Sequence, residues 1–367
     1  MPHGAITDEL VEFHAEVARG GTALTTVAYC SVSPEGRVHR DTIVLDRDSI
    51  PGLRRLTDAS TPRAPSPRHR SDTPVSSPTR SPTASRHSHR PPASAPAMGL
   101  VRGATLAQLD QVVEDYEHAA RNAVEAGFDA LEVHLGHNYL LSSFMSPNLN
   151  KRSDRYGGTL EKRSAFPRRV LEAVRKAVGD KIAIIAKFNM TDGVPKGLWL
   201  NESLPIAKMI EADGHIDAME LTGGSSLLNG MYFFRGEVPL REFMASQPKV
   251  VGWGGLKFYG PKIFPTYPFE EGFFLQEARQ FRAELKLPII LLGGINRLDT
   301  IEHALDEGFE FVAMGRALLR DPSVVDKFRS EQAQEGLCIH CNKCMPTIYT
   351  GTRCVIRETL RETPRTV

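Results

Sequence analysis

The sequence predicts an α/β chain of the (β/α)8 TIM-barrel type, incomplete by its first and third strands. Three observations predict it. Helical patterns alternate with short strands of continuous apolar character, which implies a parallel sheet covered on both faces. His134, Lys187, Gly293 and Gly315 fall at the C-terminal ends of those strands, where such a barrel places its active site. The rival, a doubly wound sheet, normally carries a glycine-rich dinucleotide loop after its first strand, and no GxGxxG occurs.

The elements follow in order. Thr7 caps a helix reaching Ala18, with Asp8 and Glu9 at the positive end of its dipole and Gly20-Gly21 as its stop. Thr22 to Tyr29 is a β-rich run. Leu106 to Ala126 is a helix, capped by Thr105 and stopped by Gly127, and the strand Ala130 to His134 follows. Four more helix–strand pairs come next. They are Leu160–Val178 with Ile182–Phe188, Ser203–Ala212 with Ala218–Leu221, Glu271–Leu285 with Pro288–Leu292, and Leu298–Asp306 with Phe311–Met314. Six strands are visible where a closed barrel needs eight. The chain opens on a helix, which places the first strand upstream of Met1. The second gap lies between Tyr29 and Ala130.

Residues Ser60 to Ala97 fall in that gap and differ from the rest. They hold nine serines and nine prolines, and Val75 is the one large apolar residue, so no element with a buried face is expected. One reading is a disordered linker. A sharper one is a stretch translated in the wrong frame, entered near codon 60 and left near codon 97. An uninterrupted frame on resequencing excludes it. The chain then divides into an N-terminal part of the barrel (1–59), the anomalous segment (60–97), the remainder of the barrel (98–336) and a cysteine-bearing tail (337–367).

Composition sets the outer limits. An apolar fraction of 41% and a charged fraction of 24% are those of a globular protein. A net charge of +1 does not point to nucleic acid or an acidic membrane surface. The longest apolar runs are too short to span a bilayer, and the N-terminus does not read as a signal peptide, so the expected compartment is the cytoplasm. The expected partner is a small-molecule substrate, with homo-oligomerisation left open.

The densest chemical signal is EVHLGHNYLLSSFMSPNLNKRSDRYGG, from Glu132 to Gly158. His134 and His137 sit three apart at a strand-to-loop turn, where both imidazoles can face a cavity and hydrogen-bond a carbonyl oxygen or an anion. Tyr139 beside them can deliver a proton to carbon. The bland alternatives are buried, satisfied histidines or a metal site. Lys187 ends its strand as an inward cation; a Schiff-base lysine is the rival reading. Gly293-Gly294 and Met314-Gly315-Arg316 close consecutive strands, where backbone N–H groups commonly cradle phosphate, with Arg316 adding charge.

This stretch resembles the signature of the Old Yellow Enzyme family, the NADH:flavin oxidoreductases. Ser146-Pro147, Asn150, Arg152, Asp154, Tyr156, Gly157, Gly158 and Arg163 match in order; Lys162 stands where the family has Asn. The resemblance runs from about Ile6 to Ala59 and from about Met98 to Arg353. It implies FMN as cofactor and NAD(P)H as reductant. It further implies that His134 and His137 hold the electron-withdrawing group of an activated alkene, and that Tyr139 protonates the carbon α to it. Lys187 then lies against the flavin, and Gly293, Gly294, Met314, Gly315 and Arg316 bind the FMN phosphate. Ala28 and Tyr29 complete the FMN pocket. The family's flavin contacts from the first strand and its Gln on the third are not found.

Cys338, Cys341, Cys344 and Cys354 cluster near the C-terminus. Four thiolates can hold a [4Fe–4S] cluster or zinc, or stand empty. The spacing is similar to the cluster region of the longer family branch that includes the 2,4-dienoyl-CoA reductase and trimethylamine dehydrogenase barrels, but with two residues rather than three before the third cysteine and a shorter final gap. The functional expectation is an FMN-dependent ene-reductase. The alternatives are a damaged, inactive family member, a barrel aldolase using Lys187, and a non-catalytic binding protein tethered through the Ser/Pro/Arg run.

Overall fold

A computed structural model of the chain describes residues 2–61, 79–84, 103–246, 260, 264–349 and 351–357. Helix α1 (Asp8–Arg19) starts where Thr7 accepts the Leu10 N–H. It leads into β1 (Leu24–Ser31), a two-residue strand β2 (Ile43–Val44) and helix α2 (Ile50–Ser60). Next come β3 (Thr79–Ala84), α3 (Leu106–Glu125), β4 (Ala130–Leu135) and the short α4 (Leu140–Met145). Helix α5 (Leu160–Val178), β5 (Ala183–Asn189), α6 (Leu200–Asp213) and β6 (Ala218–Thr222) follow. Strand β7 (Ile289–Leu292) lies after the helix Leu275–Glu284, and β8 (Phe311–Ala313) after the helix Leu298–Asp306. Thr105 begins α3 with a full capping box, exchanging hydrogen bonds with Gln108.

The eight strands form one parallel sheet in the order β2-β1-β3-β4-β5-β6-β7-β8. Among the described residues no pairing joins β8 to β1 or β2, so the barrel is not closed. The expectation of an incomplete barrel holds for the first strand. The third strand's place is filled, by Thr79–Ala84, inside the segment from which no strand was expected. The slot explains it. β1 offers one hydrogen-bonding edge and β4 another, and a parallel strand needs those backbone partners more than it needs apolar side chains. Pro82 brings no N–H where it pairs with Val27, and the register shifts directly after this pair. Positions 62–78 and 85–102 lie outside the described residues, and the disordered-linker and wrong-frame readings fall there.

Alternation along the strands decides which side chains meet the core and which meet the site. Leu131, Val133 and Leu135 on β4, Ile184 and Phe188 on β5, and Met219 and Leu221 on β6 are buried in the main core beneath the helices, and Ala186 is buried between its β5 neighbours. The opposite face starts with a small apolar layer of Ala130, Ile185, Ala218 and Ile290. Above that layer the same face turns polar, carrying Glu132, His134, Lys187, Asn189, Glu220 and Thr222. Register sets these side by side: His134 pairs with Lys187, Lys187 with Glu220, and Asn189 with Thr222.

Candidate active site

A cleft of ≈ 1090 Å³ opens over this polar face. Ala28, Tyr29, His134, His137, Lys187, Gly293, Gly294, Met314, Gly315 and Arg316 all line it, so the sequence-predicted residues converge on one space. Glu132, Glu220, Thr222, Phe233 and Phe234 join them. Tyr139 does not line the cleft. Its ring lies one layer behind, with its centroid 5.1 Å from that of His134 and 6.2 Å from that of Tyr29, and its side chain hydrogen-bonds Tyr29.

The turn after β4 is built for its histidine. His137 and Asn138 both take left-handed backbone angles, φ 58° and 59°. The His137 N–H donates to Asn189 Oδ1 at 3.2 Å, and its Nε2 meets Thr222 Oγ1 at 2.9 Å. Phe233 stacks on the imidazole at 4.4 Å between centroids, and the ring of His134 lies 5.1 Å away. Burial, helped by the charge of Lys187, pushes His137 down to about 3, so it is a neutral imidazole at physiological pH.

Lys187 is clasped by two carboxylates. Its Nζ hydrogen-bonds Glu220 Oε1 and lies 3.8 Å from Glu132 Oε1. Burial alone lowers the lysine, but Glu132 and Glu220 outweigh it and hold the ammonium above the ordinary lysine value. A Schiff-base lysine must instead lose its proton to attack a carbonyl. The clasp therefore corrects the aldolase reading. The two glutamates were missed, although a Glu inside each of two otherwise apolar strands, ALEVHL and AMELT, was a readable signal.

Packing against phenylalanines requires glycine at the end of β7. Gly293 and Gly294 have φ 130° and 71°, and a Cβ there would meet Phe274 at 2.8 Å and Phe273 at 2.6 Å. A Cβ at Gly315 would meet nothing, which leaves that backbone open to the cleft. Arg316 is shared between two spaces. Its guanidinium donates to the Arg235 carbonyl at 3.1 Å and to Asn342 Oδ1, and it also lines a small cavity of ≈ 20 Å³. Cys338, Cys341, Cys344 and Cys354 all border that cavity. Among the described residues no three His, Cys, Asp or Glu side chains are grouped so as to hold one metal ion. Burial raises Cys338, and Cys344 to about 11, so neither thiol is an activated nucleophile.

The signature after Tyr139 is structural. Asn150 donates to the Phe144 and Tyr156 carbonyls, both at 2.7 Å, and Arg152 forms a two-pronged pair with Asp154. Buried Arg163 reaches the carbonyls of Met145 and Gly158 and pairs with Glu202 at 2.5 Å. These residues shape the loop and leave the cleft to its neighbours.

Comparison with known proteins agrees with this geometry. The model of the NADH:flavin oxidoreductase / NADH oxidase family matches residues 66–223. The 4,4'-dithiodibutanoate disulfide reductase of Rhodococcus erythropolis is 70% identical over 371 aligned residues, covering all of this chain and 91% of that protein. The chain belongs to this family. It is accordingly an oxidoreductase that uses FMN, with NAD(P)H as reductant. That corrects the non-catalytic, tethered reading. A metal reductase of Desulforamulus reducens is 29% identical over 95% of the chain, which spans 48% of that longer protein. Among solved structures, a 2-naphthoyl-CoA reductase superposes with a TM-score of 0.76 at 21% identity, over 96% of this chain and 51% of the other. The old yellow enzyme homologue of Zymomonas mobilis gives 0.66 at 16% identity, over 98% and 91%. These two share the fold.

Proposed function

We propose that the chain is an NAD(P)H-dependent reductase of small electron-poor acceptors, with an alkene activated by a carbonyl, nitro or thioester group as the acceptor class. One observation carries the reading: His134, His137 and Tyr139 pack as three adjoining rings beside the face that bears Lys187 and the strand-end glycines. The cleft is large enough to admit FMN, and the Gly315 backbone is open to it. Gly293, Gly294, Met314, Gly315 and Arg316 would hold the phosphate, Lys187 the polar edge of the ring, and Ala28 and Tyr29 its flank. Bound there, FMN supplies hydride transfer from NAD(P)H to the acceptor.

The chain's own residues do the rest. His134 and His137 hold the acceptor's electronegative atom, and the stack of Phe233 on His137 fixes one ring and keeps water from it. Tyr139, hydrogen-bonded to Tyr29 at the cleft wall, is the proton source. A second acceptor class, an organic disulfide, is favoured by the 70%-identical relative. The balance is RSSR + NAD(P)H + H⁺ → 2 RSH + NAD(P)⁺, which needs the same hydride and proton.

The test is direct. Purified protein should be yellow and release FMN on denaturation. It should oxidise NADH or NADPH faster when an enone, a nitroalkene, an enoyl thioester or dithiodibutanoate is added. Product analysis distinguishes alkene from disulfide reduction. A colourless protein, or one that no acceptor accelerates, overturns the reading.

A further inference from the structure

A buried carboxylate outside every sequence motif sits behind the histidine turn. Asp192, in the loop after β5, is fully buried. Its Oδ1 accepts from Asn138 Nδ2 at 2.8 Å and from Asn189 Nδ2 at 2.9 Å. Its Oδ2 accepts from Ser146 Oγ at 2.5 Å and from the Leu198 N–H at 2.7 Å. Every donor comes from a segment that shapes the site. Asn138 follows His137 in the left-handed turn, and Asn189 accepts the His137 N–H through its Oδ1. Ser146 ends α4, the helix that begins directly after Tyr139.

We propose that Asp192 is the positioning residue of this site, holding His137 in place from two sides: through Asn138, which shares its turn, and through Asn189, which binds its backbone. The inference rests on the functional reading given above for what His137 does once held.

The physical case has two parts. A buried carboxylate is costly unless its lone pairs are satisfied, and four donors satisfy this one. Two consecutive non-glycine residues at positive φ are unfavourable unless their surroundings hold them there. One group supplies both conditions, since the donors that satisfy the carboxylate are the ones that pin the turn. Neutral substitution reverses the pattern. An amide at position 192 turns an N–H₂ toward groups that are themselves donors, which leaves one side of the network unpaired.

Three variants test this in the flavin-loaded protein. In Asp192→Asn a single amide oxygen is left for the two asparagine amides and the Leu198 N–H, so at least one of these donors faces an N–H₂. Adding Asn138→Asp restores one donor–acceptor pair with its polarity reversed. Asn189→Leu keeps the carboxylate but removes the link to the His137 backbone, together with the Asn189 donations to Asp192 and the Gly224 carbonyl, and serves if Asp192→Asn folds poorly. Two readouts are taken. The first is kcat and KM for the acceptor that the wild type reduces. The second, independent of turnover, is the ¹⁵N-imidazole signal of His137, assigned with His137→Asn.

Asp192→Asn and Asn189→Leu should each shift the His137 signal and lower kcat/KM by ~10²-fold, the usual effect of misplacing a site group by about an ångström. The double variant should recover part of both. An unmoved His137 signal in Asp192→Asn and Asn189→Leu overturns the proposal, whatever the activity. Equal losses in Asp192→Asn and the double variant, with no recovery of the signal, also overturn it. A wild type that reduces no acceptor while the signal moves and recovers instead sinks the functional reading and leaves the positioning role standing.

Discussion

Tyr139 shows what a single position can reveal. Its ring is packed behind His134 and bonded to Tyr29, and removal of its hydroxyl leaves no large gap, so the proton-source role proposed for it can be tested alone. Tyr139→Phe should retain FMN and accept hydride from NAD(P)H at the normal rate, while acceptor reduction slows by ~10²–10⁴-fold. Stopped-flow measurement of the two half-reactions checks this, and an unchanged acceptor step assigns the proton to another group. His137 carries a pH prediction. Its folded pKa of about 3 lies below the ordinary 6.5, so the unfolded chain takes up a proton that the folded chain refuses. Its contribution to stability is complete above about pH 6.5 and is lost as the pH falls toward 3. Melting temperature should therefore decline over that range, less steeply in His137→Asn. His134, His137 and the glycines were legible because each stands at or just after a strand end. Asp192 was not, because its partners Ser146 and Asn138 lie 46 and 54 residues away and no local pattern joins them.

At the level of elements, strand and helix identity was readable wherever hydrophobic period and punctuation agreed. Helices α5 and Leu298–Asp306 begin and end where the pattern places them, and Thr105 caps α3 as its position suggests. Thr79–Ala84 was illegible for the opposite reason: its pairing comes from the edges of β1 and β4, and nothing in TRSPTA announces it. Helix α2 and the short α4 were not among the expected helices; α2 carries Pro51 in its first turn, where proline suits a helix. The end of β7 supplies the prediction at this scale. Gly294→Ala places a methyl at φ 71° against Phe273 and Phe269, so the turn must shift. The variant should fold and lose FMN retention, which absorbance after gel filtration reads directly. Full retention of flavin would separate that turn from the phosphate site.

For the whole molecule, the open sheet and the shared arginine matter most. Arg316 lines both the large cleft and the cysteine cavity, so the two spaces meet at one guanidinium. If the four cysteines hold a [4Fe–4S] cluster, anaerobically purified protein should contain about four irons and four sulfides per chain. Replacing Cys341 with Ser should abolish both while leaving FMN bound. Zinc, or no metal, in the analysis removes the cluster from the account.

Lys187 and its two glutamates carry one last consequence. Two carboxylates and one ammonium leave the floor of the cleft with a formal charge that is negative, not positive. Under the proposed function, an acceptor bearing carboxylates would be repelled by that charge and would enter with its anionic ends toward solvent, its reducible centre travelling deepest. A neutral isostere at Glu220 should weaken that preference.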